Sequence, residues 1–504
     1  MNANLFARLS ASIASPDATA IETITGEHIS YADLVARTGR MANALAGLGV
    51  KPGDRVAAQV EKSVEAIVLY LGTLRAGGVF LPLNTGYTPA EIDYFIGDAE
   101  PALLVCDPAR REALQATADK AGAAMATLDV RGGGTLMEAA AAAAEVFATV
   151  NREADDLAAL LYTSGTTGRS KGAMLTHGNL VSNALALRDT WHYSDRDVLI
   201  HALPIFHTHG LFVATNVTLF SGASMIFLPK FDADLVLKLM KRATVLMGVP
   251  TFYVRLLEHG TLSPGTTRNM RLFVSGSAPL LAETHREWLA RTGHAILERY
   301  GMTETNMNTS NPYDGERVAG AVGMPLPGVE LIITSPETGQ HLPQGEIGMI
   351  EVRGPNVFKG YWRMPEKTAA ELRHDGFFIT GDLGKVDERG YVHIVGRGKD
   401  LIITGGYNVY PKEIETEIDA LPGVLESAVV GIPHRDFGEG VIAVIVTTGK
   451  VSLSQEDVLK SLETRLARFK LPKRVVFVDD LPRNTMGKVQ KNLLRETYGD
   501  LLGA

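Results

Sequence analysis

Tyr162-Thr163-Ser164-Gly165-Thr166-Thr167-Gly168-Arg169-Ser170-Lys171-Gly172 is a run that no buried core requires. The apolar residues Leu157 to Tyr162 at its front read as a buried strand, and Met174 to Leu180 behind it lead into a helical pattern. Three glycines let backbone amides turn toward an anion, five Ser and Thr hydroxyls add donors, and Arg169 and Lys171 bring charge. A loop of this make-up after a strand is a cradle for polyphosphate in an α/β fold. It is not the G-x-x-x-x-G-K-[ST] loop, because Ser170 stands five places beyond Gly165. An ordinary flexible turn is the competing reading; the length of the run, its leading strand and its basic end argue against it.

Outward from that loop, a chain of 504 residues exceeds one core and implies two or more domains. A net charge of -8 speaks against general affinity for nucleic acid or an anionic membrane, so an anionic substrate must be met by local basic groups. The single cysteine, Cys106, excludes a disulfide framework and a Cys-based metal site, and it fits a reducing, cytoplasmic setting. No apolar run approaches the ~20 residues of a membrane span. Residues 1–20 faintly resemble a transit peptide, but Leu5, Leu9 and Ile13 favour an amphipathic first helix.

From Ile21 to about Ala123, helical and strand patterns alternate, as in a sheet with helical crossovers. Leu272-Phe273-Val274-Ser275 followed by Gly276-Ser277-Ala278-Pro279 is a strand ending in a small-residue turn that a flat ring could approach closely. His207 and His209, two apart, have too few ligands nearby for a zinc site. Val395-Gly396-Arg397-Gly398-Lys399-Asp400 sets two glycines among charges ahead of a fresh strand, and the domain boundary is placed there. The result is a large N-terminal α/β domain of several subdomains over 1–396, then a small, mobile α+β domain over 397–504.

Four motifs in order carry a family resemblance over nearly the whole chain. They are the 162–172 loop, Tyr300-Gly301-Met302-Thr303-Glu304, Thr380-Gly381-Asp382, and Pro482-Arg483-Asn484-Thr485-Met486-Gly487-Lys488. Together they resemble the adenylate-forming superfamily of acyl-CoA synthetases, adenylation domains and firefly-type luciferases. That resemblance implies ATP and Mg2+, with CoA as co-substrate. It implies an ATP site of Thr163, Ser164, Gly165, Thr166, Thr167, Gly168, Lys171, Ser277, Ala278, Tyr300, Gly301, Asp382 at the ribose hydroxyls, and Arg397. Glu304 and Thr167 would hold the metal, Thr303 would donate to the α-phosphate, and Lys488 would bridge the attacking carboxylate and the α-phosphate. Lys399 would be the hinge and Gly405 with Gly406 the pantetheine tunnel; His207 would close over the substrate carboxylate. Lys488, exposed in an open state, would be a switch for regulatory acylation.

Arg299 departs from the small or neutral residue usual in synthetases for monocarboxylic acids. A guanidinium beside the pocket needs an anion, because burying it unpaired costs several kcal/mol. Its planar fork suits a second carboxylate, with Arg255 as companion. With His207-Thr208-His209-Gly210 and Met307, this resembles the malonyl-CoA synthetases, with Thr208 and Met307 bounding space for hydrogen or methyl on the α-carbon. The expected client is a short dicarboxylic acid, malonate or methylmalonate. Alternatives are a CoA ligase for oxalate or a monocarboxylate, and an adenylation enzyme loading a carrier protein, although no carrier segment follows residue 504. A luciferase-like oxygenase and a non-catalytic nucleotide binder are further readings. A structural ion pair of Arg299 with Glu298 or Glu283 is the competing account of that residue.

Overall fold

The structure, a computed structural model, describes residues 2–163, 170–404, 407–434, 437–449, 451, 453–463, 465–466, 468–484 and 487–502. Tertiary contacts gather the chain into two compact units, Met1–Glu330 with Val352–Phe378, and Leu331–Glu351 with Ile379–Ala504.

Among the described residues, the first unit is built on two sheets. In one, the parallel strands Arg55–Gln59, Val79–Pro82, Leu103–Cys106 and Ala124–Thr127 are joined through Val79–Pro82 to Leu157–Thr163. Every residue of Val79–Pro82 and Leu103–Cys106 is buried, the mark of parallel strands covered on both faces. The chain then departs from the sequence reading. Leu157–Thr163 pairs antiparallel with Lys171–Thr176, and the helix begins only at His177. Thr176 fixes that start: its hydroxyl accepts from Asn179 N at 3.1 Å while Asn179 Oδ1 accepts from Thr176 N at 2.9 Å. A reciprocal cap of this kind contributes about 1 kcal/mol.

The other sheet carries Val198–His201, Val245–Gly248, Leu272–Ser275 and Leu297–Met302 in parallel, then turns back through the antiparallel Asn306–Ser310. Trp288 anchors the helix Ala282–Thr292 beneath it, edge-on to Tyr253 and Phe273. The first helix, Leu5–Ser12, buries Leu5 and Leu9 as its spacing predicts.

The second unit holds a sheet of Glu330–Thr334, Gly348–Arg353, Phe378–Val386 and Val392–Arg397. A further sheet is formed by Ile402–Thr404, Tyr407–Val409, Val424–His434, Gly438–Thr447 and Arg474–Val478. By contacts, then, residues 379–396 pack with the C-terminal part of the chain rather than with 1–330, and the turn from Gly396 to Lys399 lies inside that unit. Phe378–Val386 and Val392–Arg397 form a local antiparallel hairpin, so residues 379–397 stay together in that unit.

Candidate active site

In the first unit, the strand Leu297–Met302 places neighbouring side chains on opposite faces, and its two charged residues part company accordingly. Glu298 turns to His285, with Oε1 3.3 Å from Nδ1, and the same oxygen accepts from Gly320 N at 3.1 Å. Arg299 goes the other way. It is 4% exposed, and among the described residues its Nε and Nη2 have no hydrogen-bond partner and no acid pairs with it. The structural ion pair with Glu298 or Glu283 is therefore not formed. Burial pushes the guanidinium down to about 9, which leaves it cationic at neutral pH.

The turn after Leu272–Ser275 is shaped around that group. A Cβ at Gly276 would sit 2.3 Å from Arg299 Cζ and 2.5 Å from Nη1, so only glycine lets the guanidinium lie against the backbone there. Ser277 follows in the left-handed region at φ 70°, and its Oγ lies 3.3 Å from His209 Nδ1. His209 is buried with Nε2 unpartnered; burial, with Arg299 next, holds its imidazole neutral. Thr208 Oγ1 and Ser275 Oγ are likewise buried without partners. These orphaned polar atoms are the fit test for a small polar guest, since buried donors left unmade are costly. His207 is half-buried, and its Nδ1 accepts from His209 N at 3.2 Å. Among the described residues no cluster of His, Cys, Asp and Glu could hold a metal by itself.

The pocket wall continues in the hairpin Leu297–Met302 with Asn306–Ser310. Its bulge falls between Tyr300 and Gly301, where a Cβ would meet Asn306 O at 1.8 Å. Met307 is buried, its backbone clamped by Asn183, whose Nδ2 donates to Met307 O at 2.8 Å. Thr303 is half-buried and Glu304 buried. The Tyr361 hydroxyl lies 3.0 Å from Glu304 Oε1 and 2.7 Å from Glu371 Oε2, so one phenolic proton is shared by two carboxylates. Burial, then the charge of Glu304, raises the Tyr361 pKa far above its usual value. Lys171 Nζ closes the chain, 3.5 Å from Glu371 Oε2 and 4.2 Å from the centre of the Tyr361 ring. The basic end of the glycine-rich run and Glu304 are thus tied through two side chains. Glu304, a buried carboxylate that belongs to no cluster of metal ligands among the described residues, suits Mg2+, which keeps waters and substrate phosphates as its other partners.

Arg255 stands with Val254 on the exposed face of the helix Pro250–Leu257, while Tyr253, two residues earlier, faces inward and donates to Val274 O at 2.7 Å. On a helix, positions 253 and 255 point about 200° apart. Ser164, Gly165, Thr166, Thr167, Gly168, Gly405 and Gly406 lie outside the described residues.

In the second unit, Asp382 and Arg397 face each other across paired strands, and Arg397 Nε lies 2.7 Å from Asp382 Oδ1. Lys399 is exposed, whereas its neighbour Asp400 is buried and held by Arg495 at 2.6 Å. Lys488 is exposed, and its backbone O accepts from Asn484 N at 2.9 Å. Asn484 Oδ1 accepts the Lys488 backbone N–H at 3.0 Å, and Gly487 takes a left-handed φ of 75°.

Tyr361, Glu371, His209 and Gly276 were not singled out for these contacts by sequence. Gly276 and His209 sit within motifs that already drew attention, but Glu371 lies in a short helix with nothing to mark it.

Two family patterns match the chain, "AMP-binding enzyme" over residues 11–362 and "AMP-binding enzyme C-terminal domain" over 413–488. A malonate–CoA ligase of Arabidopsis thaliana is 36% identical over 484 residues, covering 90% of this chain and 79% of that one. A feruloyl-CoA synthase of an Amycolatopsis species is 37% identical, over 96% and 97%. Relatives with different acids are thus about equally similar, and overall identity at this level does not choose between them. The crystal structure of ATP-bound MatB from Rhodopseudomonas palustris is 69% identical, covers both chains completely and superposes with a TM-score of 0.98.

Proposed function

The chain belongs to the AMP-binding enzyme family, and from that premise we propose that it is an ATP-dependent acid–CoA ligase that makes malonyl-CoA from malonate through malonyl-AMP, releasing AMP and diphosphate. It uses ATP, Mg2+ and CoA. The observation that carries the choice of acid is Arg299, a buried guanidinium with two unpaired donors beside the glycine turn. A monocarboxylate leaves those donors unmet; the far carboxylate of malonate meets both. The match to malonate–CoA ligases of Arabidopsis thaliana and mouse, the latter 36% identical, supports the same reading.

In the first half-reaction a carboxylate oxygen of malonate attacks the α-phosphorus of ATP, and the bond from that phosphorus to the bridging oxygen of diphosphate breaks. Glu304 and Thr167 would hold magnesium, which would supply charge neutralisation on the phosphates. Thr303 donates to the α-phosphate, Lys171 and the 163–168 segment bind the leaving diphosphate, and His207 closes over the reacting carboxylate. Lys488 brings an ammonium to the developing charge, an interaction realised in the transition state. Ser277, Ala278, Tyr300 and Gly301 shelve the adenine, and Asp382, oriented by Arg397, accepts from the ribose hydroxyls. In the second half-reaction the CoA thiol, entering past Gly405 and Gly406, loses its proton and displaces AMP from the acyl carbon. Reorientation of the domain about Lys399 separates the two steps. Thr208 and Met307 leave room for a methyl group, so methylmalonate is accepted. Acylation of Lys488 would remove its charge and stop adenylation, a modification mass spectrometry would detect. A cytoplasmic setting fits the single cysteine, Cys106. Separately, no helix of the described residues is long and apolar enough to cross a membrane.

Diphosphate release with malonate, methylmalonate, oxalate and propionate tests the proposal, with CoA consumption measured alongside. Malonate should dominate; propionate turning over faster than malonate would refute the choice of acid.

A further inference from the structure

The orphaned donors of Arg299 explain why a second carboxylate is wanted, but a carboxylate has four lone-pair positions, and the guanidinium fork fills two of them. A neutral donor standing next to that fork would make the receptor selective for the carboxylate shape rather than for negative charge in general.

His209 has the properties of that donor. It is 1% exposed, and its Nε2 has no partner among the described residues. The ring is fixed from its other side, with Nδ1 3.3 Å from Ser277 Oγ. With Nδ1 receiving the Ser277 hydroxyl proton, Nε2 carries the hydrogen and points it at nothing. Arg299 and His209 are held by consecutive residues of one turn, because Gly276 lies against the guanidinium and Ser277 against the imidazole.

The backbone under His209 is anchored as well. It opens the π-helical turn His209–Thr215, a rare geometry found frequently at functional sites. Its next carbonyl, Gly210 O, is 3.0 Å from His201 Nε2 and accepts from Thr215 Oγ1 at 2.9 Å. His201 is in turn gripped by the buried Lys62, whose Nζ lies 3.0 Å from His201 Nδ1 and donates to His201 O at 2.8 Å. A packing histidine would not need an orphaned nitrogen held so firmly.

We propose that His209 is a specificity-determining residue: its Nε2–H donates to one oxygen of the far carboxylate of the diacid while the Arg299 fork holds that carboxylate, across the Gly276-Ser277 turn. This rests on the diacid reading above and extends it to a residue not assigned there.

The test is kcat/KM for malonate and for propionate at saturating ATP and CoA in H209A and H209Q, beside R299L. H209A should lower malonate kcat/KM about 10- to 100-fold, the loss of one hydrogen bond to a charged group, mainly through KM. Propionate should stay within about twofold, and H209Q, whose amide nitrogen approximates Nε2, should recover part of the malonate loss. Equal losses for both acids, or an unchanged malonate value, would overturn the proposal. If R299L keeps the preference for malonate, the diacid reading falls; if R299L abolishes it and H209A does not, only the role of His209 falls. A crystal structure of the unsubstituted enzyme with malonate and a non-hydrolysable ATP analogue decides the matter independently of variant folding. A far-carboxylate oxygen within about 3.2 Å of Nε2 is expected, and a water or nothing at that nitrogen would overturn the proposal.

Discussion

Replacing Arg299 by leucine should do two opposite things to the same molecule. The side chain is buried with Nε and Nη2 unpaired. Each donor, once it meets a carboxylate, makes a hydrogen bond to a charged group worth about 1.5–3 kcal/mol. Removing both therefore costs about 3–6 kcal/mol of malonate recognition, or about 10^2- to 10^4-fold in kcat/KM at 1.36 kcal/mol per decade. Burial also pushes the guanidinium well below its ordinary value, and an anion beside it restores the charge stabilisation it has lost. Propionate never touches those donors, so its kcat/KM should hold or rise. The free protein, relieved of an unpaired buried charge, should melt a few degrees higher despite a small cavity. Diphosphate release with the two acids and a thermal melt without ligands read all three quantities. A malonate value within threefold of the unsubstituted enzyme, or a matching loss for propionate, would refute the reasoning; a lower melting temperature would show that the charge is satisfied in the free protein.

Lys488→Ala should slow adenylation of malonate by about 10^2- to 10^3-fold, the size of a lost transition-state donor, while thioester formation from supplied malonyl-AMP stays within twofold; equal loss in both steps would contradict its role. Tyr361→Phe removes the hydroxyl shared by Glu304 and Glu371. It should lower kcat/KM for ATP about tenfold and raise the Mg2+ concentration needed for half-maximal ATP binding by calorimetry, whereas unchanged Mg2+ dependence would make the contact merely structural. His177 is buried with Nδ1 accepting Leu5 N at 3.0 Å, and burial, then Arg152, lowers its pKa from 6.5 to about 4. The unfolded chain therefore binds the proton first: the contribution is complete above pH 6.5 and is lost as pH falls toward 4, by about 3 kcal/mol in all. Urea midpoints at pH 7.5 and 5 should differ less in His177→Asn, whose Oδ1 replaces Nδ1 as acceptor, than in the unsubstituted protein.

The alternating helix and strand pattern and the membership of the AMP-binding enzyme family were legible in the sequence, because the pattern and each motif are local in their spacing. Met174 to Leu180 do lead into a helix, which starts at His177, but the sequence did not show that Lys171–Thr176 is a strand, because so short a run reads equally as the approach to a helix. Arg255 was read as a companion to Arg299 because it is a base in the segment that leads to the pocket, and the turn of its helix leaves it exposed.

By itself, the sequence determined that this chain carries nucleotide-activating chemistry and that an arginine stands where a small residue is usual. Residue type and short-range spacing carry both facts. Only the tertiary structure decided that Arg299 lacks an acid partner, since alternation along the strand sends Glu298 to His285 and Arg299 against Gly276. It also decided that Tyr361 and Glu371 link Lys171 to Glu304. These are contacts between segments far apart in the chain, and burial and hydrogen-bond geometry exist only once those segments are packed.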